Sequence, residues 1–193
     1  MAQISLRSLL LVISFLSGSC GNFRTAPELG TAGVTPSDNI NTLPTNLPTV
    51  TGQAEGAPAG CSVQEVAQSL QDFATALNAG DQQQLLTLFS DRAPFAWYSA
   101  PEGGSTYRDI YRVKELPQYF EERHAEHEYL EFKWIQVNGW EEQRGLVHFG
   151  FALNRRADDL NRGQALEVIG KGAFHCETKA FVVISIGDGS HQR

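Results

Sequence analysis

The first pattern along the chain is helical and covers residues 62–78. Apolar residues recur there at intervals of three and four, which places them on one stripe of an α-helix: Val63, Val66, Ala67, Leu70, Phe73, Ala74 and Leu77. Ser62 and Glu65 have the spacing of a capping box, and Gly80 stands just past the end, where a left-handed residue is favoured. This helix has one apolar face and needs a surface that buries it.

Two further helices and a short strand are predicted next. Asp81 is a good N-cap for a helix through the apolar residues 85–89. A third helix is predicted near 114–127, with Pro117 acceptable only in its first turn. Between these helices, the aromatic run at 94–99 predicts a short strand.

From residue 128 onward, alternation with period two predicts long antiparallel strands. Asn138-Gly139 predicts the turn of a first hairpin and Glu177-Thr178 the turn of a second. In these registers the residues that face the helix are Leu130, Phe132, Trp134, Val147, Phe149, Phe151, Leu153, Leu166, Val168, Phe174, Cys176, Phe181 and Val183. The other face is mixed and carries Glu131, Lys133, Ile135, Val137, His148, Glu167, Lys171, His175, Val182 and Ile184. Such a face indicates either cover by a second subunit or a solvated sheet.

The chain before this domain has a different composition. Arg7 is the only charge in the first 23 residues, and a short apolar run at 9–16 precedes small side chains, which predicts a signal peptide over 1–19. Residues 20–60 are rich in Pro, Thr and Gly and predict a disordered linker. Residues 61–193 have the patterning and size of one folded domain.

Cys20 stands where the mature chain would begin. The stretch 16–20 resembles a bacterial lipobox, although Ser17 occupies the place where a branched apolar residue is expected. We therefore expect lipidation of Cys20, which would tether the domain to the outer face of a membrane in the cell envelope. The alternative is ordinary signal-peptidase cleavage after Ser19, which would give a secreted protein.

The charge of the chain argues against one class of partner, and its cysteines predict a disulfide. The formal net charge is −7 and no cluster of Lys and Arg occurs, which argues against nucleic acid as a partner. If Cys20 carries lipid, Cys61 and Cys176 remain, in a compartment where disulfides persist. Cys61 precedes the first helix, and Cys176 ends a strand that faces this helix, so we predict a bridge between them. The alternative is two separate buried thiols.

The order helix, helix, short strand, helix and long antiparallel strands defines an α+β class. Residues 61–187 resemble the nuclear transport factor 2-like fold, including its SnoaL-like branch. The resemblance rests on AGD at 79–81, LLTLF at 85–89, ELPQYFEER at 115–123 and GKGAFHCETKAFVVISIG at 170–187. It implies a cone in which a curved antiparallel sheet wraps the N-terminal helix, with two further helices and a pocket at the open end. The family includes isomerases, dehydratases, cyclases, carriers and association modules, so the fold alone does not specify a function.

Catalysis on this fold would need a carboxylate or histidine inside the cone. The predicted inward positions carry neither, and the best candidate is Asp109 with Tyr107 and Tyr111 beside it. A role for Asp109 as a cap or turn residue is the favoured alternative. His124 and His127 lie in a charged, solvated helix end, so no metal site is predicted, and no motif indicates a cofactor.

Aromatic residues near strand ends and loops could line an apolar pocket: Trp97, Tyr98, Trp134, Phe132 and Phe149. The expected function is an exported, membrane-tethered, non-catalytic domain that binds a small apolar ligand or an envelope partner. One alternative is an isomerase or dehydratase that uses Asp109. Another is a structural dimerisation module that acts through the outer sheet face.

Overall fold

The structure is a computed structural model that describes residues 47–91, 94–100 and 108–187. The predicted signal peptide, the lipidation site Cys20 and Tyr107 lie outside the described residues, as do residues 20–46 of the predicted linker.

The capped helix predicted at the start of the domain is helix α1, Val63–Ala79. The Ser62 hydroxyl accepts a hydrogen bond from the Glu65 N–H at 3.3 Å, and the Glu65 carboxylate accepts one from the Ser62 N–H at 3.0 Å. This reciprocal pair satisfies two backbone donors that a helix start leaves open. Gly80 ends the helix with φ 67°, a left-handed conformation that glycine adopts without strain. The predicted capping box and C-cap are confirmed.

Two more helices and seven strands complete the described chain. In chain order they are β1 (Thr49–Gly52), α2 (Gln82–Thr87), β2 (Ala96–Ser99), β3 (Arg108–Ile110), α3 (Leu116–Ala125), β4 (Tyr129–Glu141), β5 (Leu146–Arg156), β6 (Leu166–His175) and β7 (Ala180–Ile186). The strands form one sheet in the order β1-β4-β5-β6-β7-β2-β3. The pairs β1/β4 and β2/β7 are parallel, and the other neighbours are antiparallel. The helices pack on one side of this curved sheet, so the predicted α+β class is confirmed.

We call the side of the sheet that packs on α1 the inner face and the opposite side the outer face. On β5 the predicted alternation holds, because Val147, Phe149, Phe151 and Leu153 are all buried in the main core. The inner face is therefore apolar along the central strand, as the sequence pattern predicts.

Strand β1 corrects the predicted domain boundary. It lies inside the stretch assigned to the linker, and it pairs with β4 from Thr49 opposite Trp134 to Gly52 opposite Val137. The composition of residues 47–60 predicts no strand, but the free edge of β4 supplies a row of backbone partners for it. The ordered sheet begins before Cys61.

The first hairpin also differs from the prediction. Asn138-Gly139 lies within β4, and the turn falls at Glu142–Arg144 with Gly145 at φ 66°. Phe132 therefore pairs with Leu153. Gly139 has φ 139° next to a register shift, so the Asn-Gly signal marks a β-bulge here.

Bulges move several side chains to the opposite face. A register shift between Phe132 and Trp134 places Trp134 on the outer face, 38% exposed, whereas Ile135 is fully buried inside. A second shift between Ala173 and Phe174 pairs Gly172 with Ile184, so Ile184 faces inward and Val183 outward. The predicted pairing of Phe174 with Phe181 is confirmed. The predicted faces of Trp134, Ile135, Val137, Val183 and Ile184 are wrong, because one extra residue reverses the alternation.

Aromatic side chains fill the space between α1 and the sheet. The ring centroid of Phe73 on α1 lies 5.8 Å from that of Trp97 and 6.4 Å from that of Phe181. Trp97 also contacts Phe120 on α3 at 5.6 Å in an edge-to-face arrangement. All four rings are at most 2% exposed. These rings pack directly against one another, so the described part of the cone interior is filled by side chains.

The predicted disulfide between Cys61 and Cys176 is confirmed, with a Cα–Cα distance of 5.6 Å. Both cysteines are buried, at 0% and 4% exposure. The bridge joins the start of α1 to the turn between β6 and β7.

Candidate functional site

Asp109, the candidate general base, lies on the exposed side of β3. The Tyr111 hydroxyl donates a hydrogen bond to its carboxylate at 3.3 Å, and Tyr111 is itself 58% exposed. A hydrogen bond with Tyr98 raises the pKa of Tyr111, and partial burial and the charge of Asp109 act in the same direction. Asp109 therefore lies at the surface, and the described residues do not enclose it in a pocket of the kind that a general base uses.

The aromatic residues predicted to bind a ligand do not come together in one pocket. Trp97 and Phe149 are buried in the core, at 0% and 1% exposure, and Phe132 is 5% exposed at the edge of the inner face. Tyr98 stands on the outer face against Tyr111, with ring centroids 6.0 Å apart. Trp134 lies on the outer face several strands away from Tyr98. The predicted ligand site is thus dispersed between the core and the opposite side of the sheet.

An ion pair in the interior is the feature that the sequence analysis missed. Glu128 and Arg155 are 4% and 3% exposed, and the Arg155 Nε donates to a Glu128 carboxylate oxygen at 2.8 Å. The other guanidinium nitrogens of Arg155 donate to the Ser99 hydroxyl and to the Ala100 carbonyl, each at 2.9 Å. Every arm of this guanidinium is therefore paired.

Glu128 also holds a second arginine. Arg123 on α3 donates to the Glu128 carboxylate and forms two hydrogen bonds of 2.7 Å with Asp159. These hydrogen bonds hold the pKa of Asp159 below its usual range and, with the charge of Glu128, raise that of Arg123 despite partial burial. The nearby Tyr119 is fully buried, and this burial raises the pKa of its phenol. Each charged group of this network is already paired with another member, which is typical of an ion network that stabilises a fold.

A signal for this network exists in the sequence. Arg155 continues the inward phase of Val147, Phe149, Phe151 and Leu153, so strict alternation already places it inside. A buried arginine needs a carboxylate partner, so the pattern predicts a buried acidic residue near Arg155 without specifying which one.

The outer face carries a groove of about 680 Å³. Its floor is a small apolar cluster of Leu146, Ala173 and Val182, with Val183 packed against it. The bulge in β7 brings these two consecutive valines to the groove, because Val182 is the extra residue between two pairing registers. The lining is completed by Pro94, Phe95, Ala96, Gly172 and the basic residues Arg144, His148, Lys171 and His175. This volume is within the range of small-molecule sites.

A second groove of about 710 Å³ runs between α1 and β4. Its lining is more polar and includes Gln71, Asn78, Glu131 and Arg156, with Phe132 among its few aromatic residues. Part of its polar lining is already engaged, since the Asn78 side chain bonds both the N–H and the carbonyl of Leu130 at 2.8 Å. The outer-face groove is thus the better candidate for an apolar ligand.

The described residues form neither a metal-binding cluster nor a membrane-spanning helix. Residues 47–91, 94–100 and 108–187 contain no group of three or more His, Cys, Asp and Glu side chains that could hold a metal ion. None of the helices in the same segments is long and apolar enough to cross a membrane.

The described chain belongs to the α+β structural class: a curved seven-stranded sheet packed on a capped helix. No protein-family model matches the sequence, and no curated protein matches it. Similarity to known proteins is therefore seen at the level of solved structures.

Three solved structures illustrate this similarity. The Orange Carotenoid Protein of Anabaena (Nostoc) sp. PCC 7120 binding canthaxanthin is 13% identical over 73% of this chain, with a TM-score of 0.50. The Fremyella diplosiphon protein OCP1 is 12% identical over 76% of this chain, with a TM-score of 0.51. An NTF2-like protein of unknown function from Shewanella oneidensis MR-1 is 11% identical over 65% of this chain and 98% of its own length, with a TM-score of 0.48.

These matches concern architecture. The chain covers only 39% of the Anabaena protein and 38% of the Fremyella diplosiphon protein. At such identities the likeness establishes the fold, and any activity or ligand has to be argued from this chain's own residues.

Proposed function

We propose that this protein is an exported, membrane-tethered, non-catalytic domain that binds a small apolar ligand in its outer-face groove. One observation carries the proposal: the described interior is filled by packed rings, whereas an apolar groove opens on the other side of the sheet. A ligand needs a concavity that is not already occupied by side chains, and the outer-face groove supplies one.

The polar groups of the interior support a non-catalytic role. Glu128 and Arg155 neutralise each other, and the two terminal guanidinium nitrogens also donate to Ser99 and Ala100. A catalytic acid or base needs a proton that a substrate can reach, and these groups are sealed within the domain. Asp109 is accessible, but it has no enclosing pocket in the described residues. Isomerase or dehydratase activity that Asp109→Asn abolishes would overturn this proposal.

The similar structures are compatible with ligand binding. The Anabaena protein carries canthaxanthin, a carotenoid, so the architecture occurs in a protein with a largely apolar occupant. Our proposal uses this only as an indication of ligand class, because the present chain corresponds to 39% of that protein.

Binding in the groove can be tested with the neutral, apolar fluorescent probe N-phenyl-1-naphthylamine and the purified full chain. Val183→Gln places a polar amide at the groove wall, and we expect it to weaken probe binding severalfold. Ser185→Gln is the matched control, since Ser185 lies on the outer face of the same strand but outside the groove lining. Equal probe affinity in the wild type and both variants would exclude the groove as the site. Native mass spectrometry of the purified protein would identify a ligand that it already carries.

Export and tethering are supported by the sequence of the first 20 residues, and a disulfide is typical of proteins in oxidising compartments. We expect the membrane-extracted protein to begin at a diacylglyceryl-modified Cys20, which intact-mass measurement would detect. A Cys20→Ser variant should lose the lipid and leave the membrane fraction. A soluble mature chain that begins at an unmodified Cys20 would contradict the tether.

A second candidate function, homotypic association, is favoured by a different part of the outer face. Trp134, Ala152 and Ile169 lie opposite one another across β4, β5 and β6, and Trp134 and Ile169 are 38% and 52% exposed. Large exposed apolar side chains in a row are typical of association surfaces. Sedimentation of the wild type and of Trp134→Ser/Ile169→Thr would show whether this row joins two copies. A monomeric wild type would exclude this function.

A further inference from the structure

We infer that the occupant of the outer-face groove is a single-chain amphiphile with an anionic carboxylate head, and that Lys171 binds this head. The inference rests on the proposed function, which makes the groove the ligand site, and it adds the chemical class of the ligand. Its basis is the distribution of charge around the groove.

The groove carries charge of one sign on a protein of the opposite sign. The whole chain has a formal net charge of −7. The described residues that line the groove nevertheless include the basic side chains of Arg144, His148, Lys171 and His175 and no Asp or Glu. Glu141 faces Arg144 and His148 at one part of the rim, so the attraction of this rim for anions is centred on Lys171.

The partners of these side chains single out Lys171. Both Arg144 and His148 face Glu141, at 3.7 Å and 2.8 Å. His175 accepts a hydrogen bond from the Thr178 N–H at its Nδ1, at 3.3 Å. Lys171 is exposed and forms no ion pair with any residue of the described segments, so its ammonium is available to a ligand.

The order of the groove side chains along β6 suits an amphiphilic ligand. Lys171, Ala173 and His175 follow one another on the outer face of β6, with Ala173 in the apolar floor. The backbone rises about 3.3 Å per residue in a strand, so Lys171 and His175 are about 13 Å apart along the groove. An alkyl chain of medium length can lie along this floor with its head at Lys171.

Other occupants fit the same surface less well. A second copy docked groove to groove around a two-fold axis would bring the basic rims together, and like charges across an interface are repulsive. An uncharged apolar ligand would fill the floor but leave the ammonium of Lys171 without a partner. An anionic amphiphile can contact both the apolar floor and the ammonium of Lys171.

The test compares decanoate with 1-decanol, which share the alkyl chain and differ in head charge, by calorimetric titration of the full chain. We expect decanoate to bind about threefold to fivefold more tightly, the effect of one exposed ion pair. Lys171→Gln should abolish this preference and leave decanol binding unchanged. Lys133→Gln is the matched control, because Lys133 lies on β4, outside the groove lining, and pairs with Glu167. High salt should reduce the preference of the wild type.

The possible outcomes separate the two proposals. Equal binding of decanoate and decanol would overturn the inference and leave the groove as an apolar site. Failure of both amphiphiles and of the neutral probe to bind would overturn the proposed function itself. A dimer that dissociates in Val183→Gln would assign the groove to a second copy and overturn the inference.

Discussion

At the scale of single residues, the Glu128 carboxylate faces two guanidinium groups inside the domain. The side chains of Glu128 and Arg155 are 1% and 3% exposed, so water cannot replace either partner. A buried ion pair contributes little compared with a well-packed apolar pair, but removal of one member leaves an uncompensated charge. The effect of a substitution on stability therefore depends on whether it leaves a buried charge of this network unpaired.

We predict that Glu128→Gln lowers the free energy of unfolding by about 3–5 kcal/mol, because Arg155 stays buried without its carboxylate. Urea unfolding of the full chain measures this. Glu167→Gln is the control: Glu167 pairs with Lys133 at the surface, where both side chains are more than 40% exposed, and its loss should cost less than about 1 kcal/mol. Equal effects of the two substitutions would mean that the interior pair is not structurally important.

Asp159 gives a prediction that depends on pH. Hydrogen bonds from Arg123 lower the pKa of its carboxyl group in the folded state below the ordinary value of 3.8. The unfolded state then binds the proton more readily, so the stabilisation is complete above the unfolded pKa and is lost as pH falls through the folded pKa. Asp159→Asn should be less stable than the wild type at pH 7, and the difference should shrink below about pH 4. Unfolding curves at several pH values would show a constant difference if the contact were absent.

The sequence predicted residue roles where the determinants are local. The Ser62–Glu65 box and Gly80 depend on neighbours within a few positions, and both are as predicted. The partner of Arg155 is 27 positions away, and nothing local distinguishes Glu128 from other acidic residues of its helix end. Its pairing follows from the hairpin register, which only the folded sheet defines.

At the scale of elements, β6 has glycines at the positions that face phenyl rings of β5. Gly170 and Gly172 face the interior opposite Phe151 and Phe149, and a Cβ at either glycine would overlap the phenyl ring. Each ring thus occupies the space that a side chain would take in an ordinary strand. The glycines allow aromatic rings to pack directly on the sheet backbone.

We predict that Gly170→Ala lowers the free energy of unfolding by about 1–3 kcal/mol, because its methyl group meets both the Phe151 ring and the Ser185 carbonyl oxygen. Gly150→Ala is the matched control on β5. A Cβ there has its nearest neighbour at 3.6 Å, an ordinary contact, so we expect a change within about 0.5 kcal/mol. Thermal unfolding of both variants provides the comparison, and equal stability would argue against close packing at Gly170.

The end of β4 shows why local sequence signals are insufficient to predict where a strand ends. The Asn138-Gly139 pair is the strongest hairpin signal in the chain, yet β4 continues through it to Glu141. The longer strand gains additional pairs with β5, and glycine at φ 139° accommodates the resulting bulge. A turn and a bulge use the same residues, and the choice between them depends on pairing along the whole strand.

At the scale of the whole molecule, the bridge from Cys61 to Cys176 closes a loop with a sequence separation of 115. All three described helices, β4, β5, β6 and most of the aromatic core lie within this loop, whereas Phe181 on β7 lies outside it. The α+β class and the bridge were predicted from the sequence, because alternation and cysteine placement determine both. The outer-face groove was not predicted, since its floor depends on a bulge that turns Val183 outward.

We predict that reduction of this bridge lowers the free energy of unfolding by about 4–5 kcal/mol, the loop-closure contribution for a loop of this length in the chain-entropy model. Denaturant titration with and without reductant measures the change. The Cys61→Ser/Cys176→Ser variant should be unaffected by reductant, which controls for other effects of the reagent. A wild type that reductant leaves equally stable would contradict the loop-closure account.

The same bridge determines how the domain responds to a stretching force. A pull between the two ends of the chain reaches Cys61, crosses the disulfide to Cys176 and continues along β7. Once the pairings of β1 and β7 with strands of this loop have broken, the segment between the two cysteines bears no load. With 115 residues at about 3.5 Å each, about 400 Å of chain stays unextended as long as the bridge is oxidised. Redox state, and not fold stability alone, thus sets the maximum length to which this molecule can be drawn out.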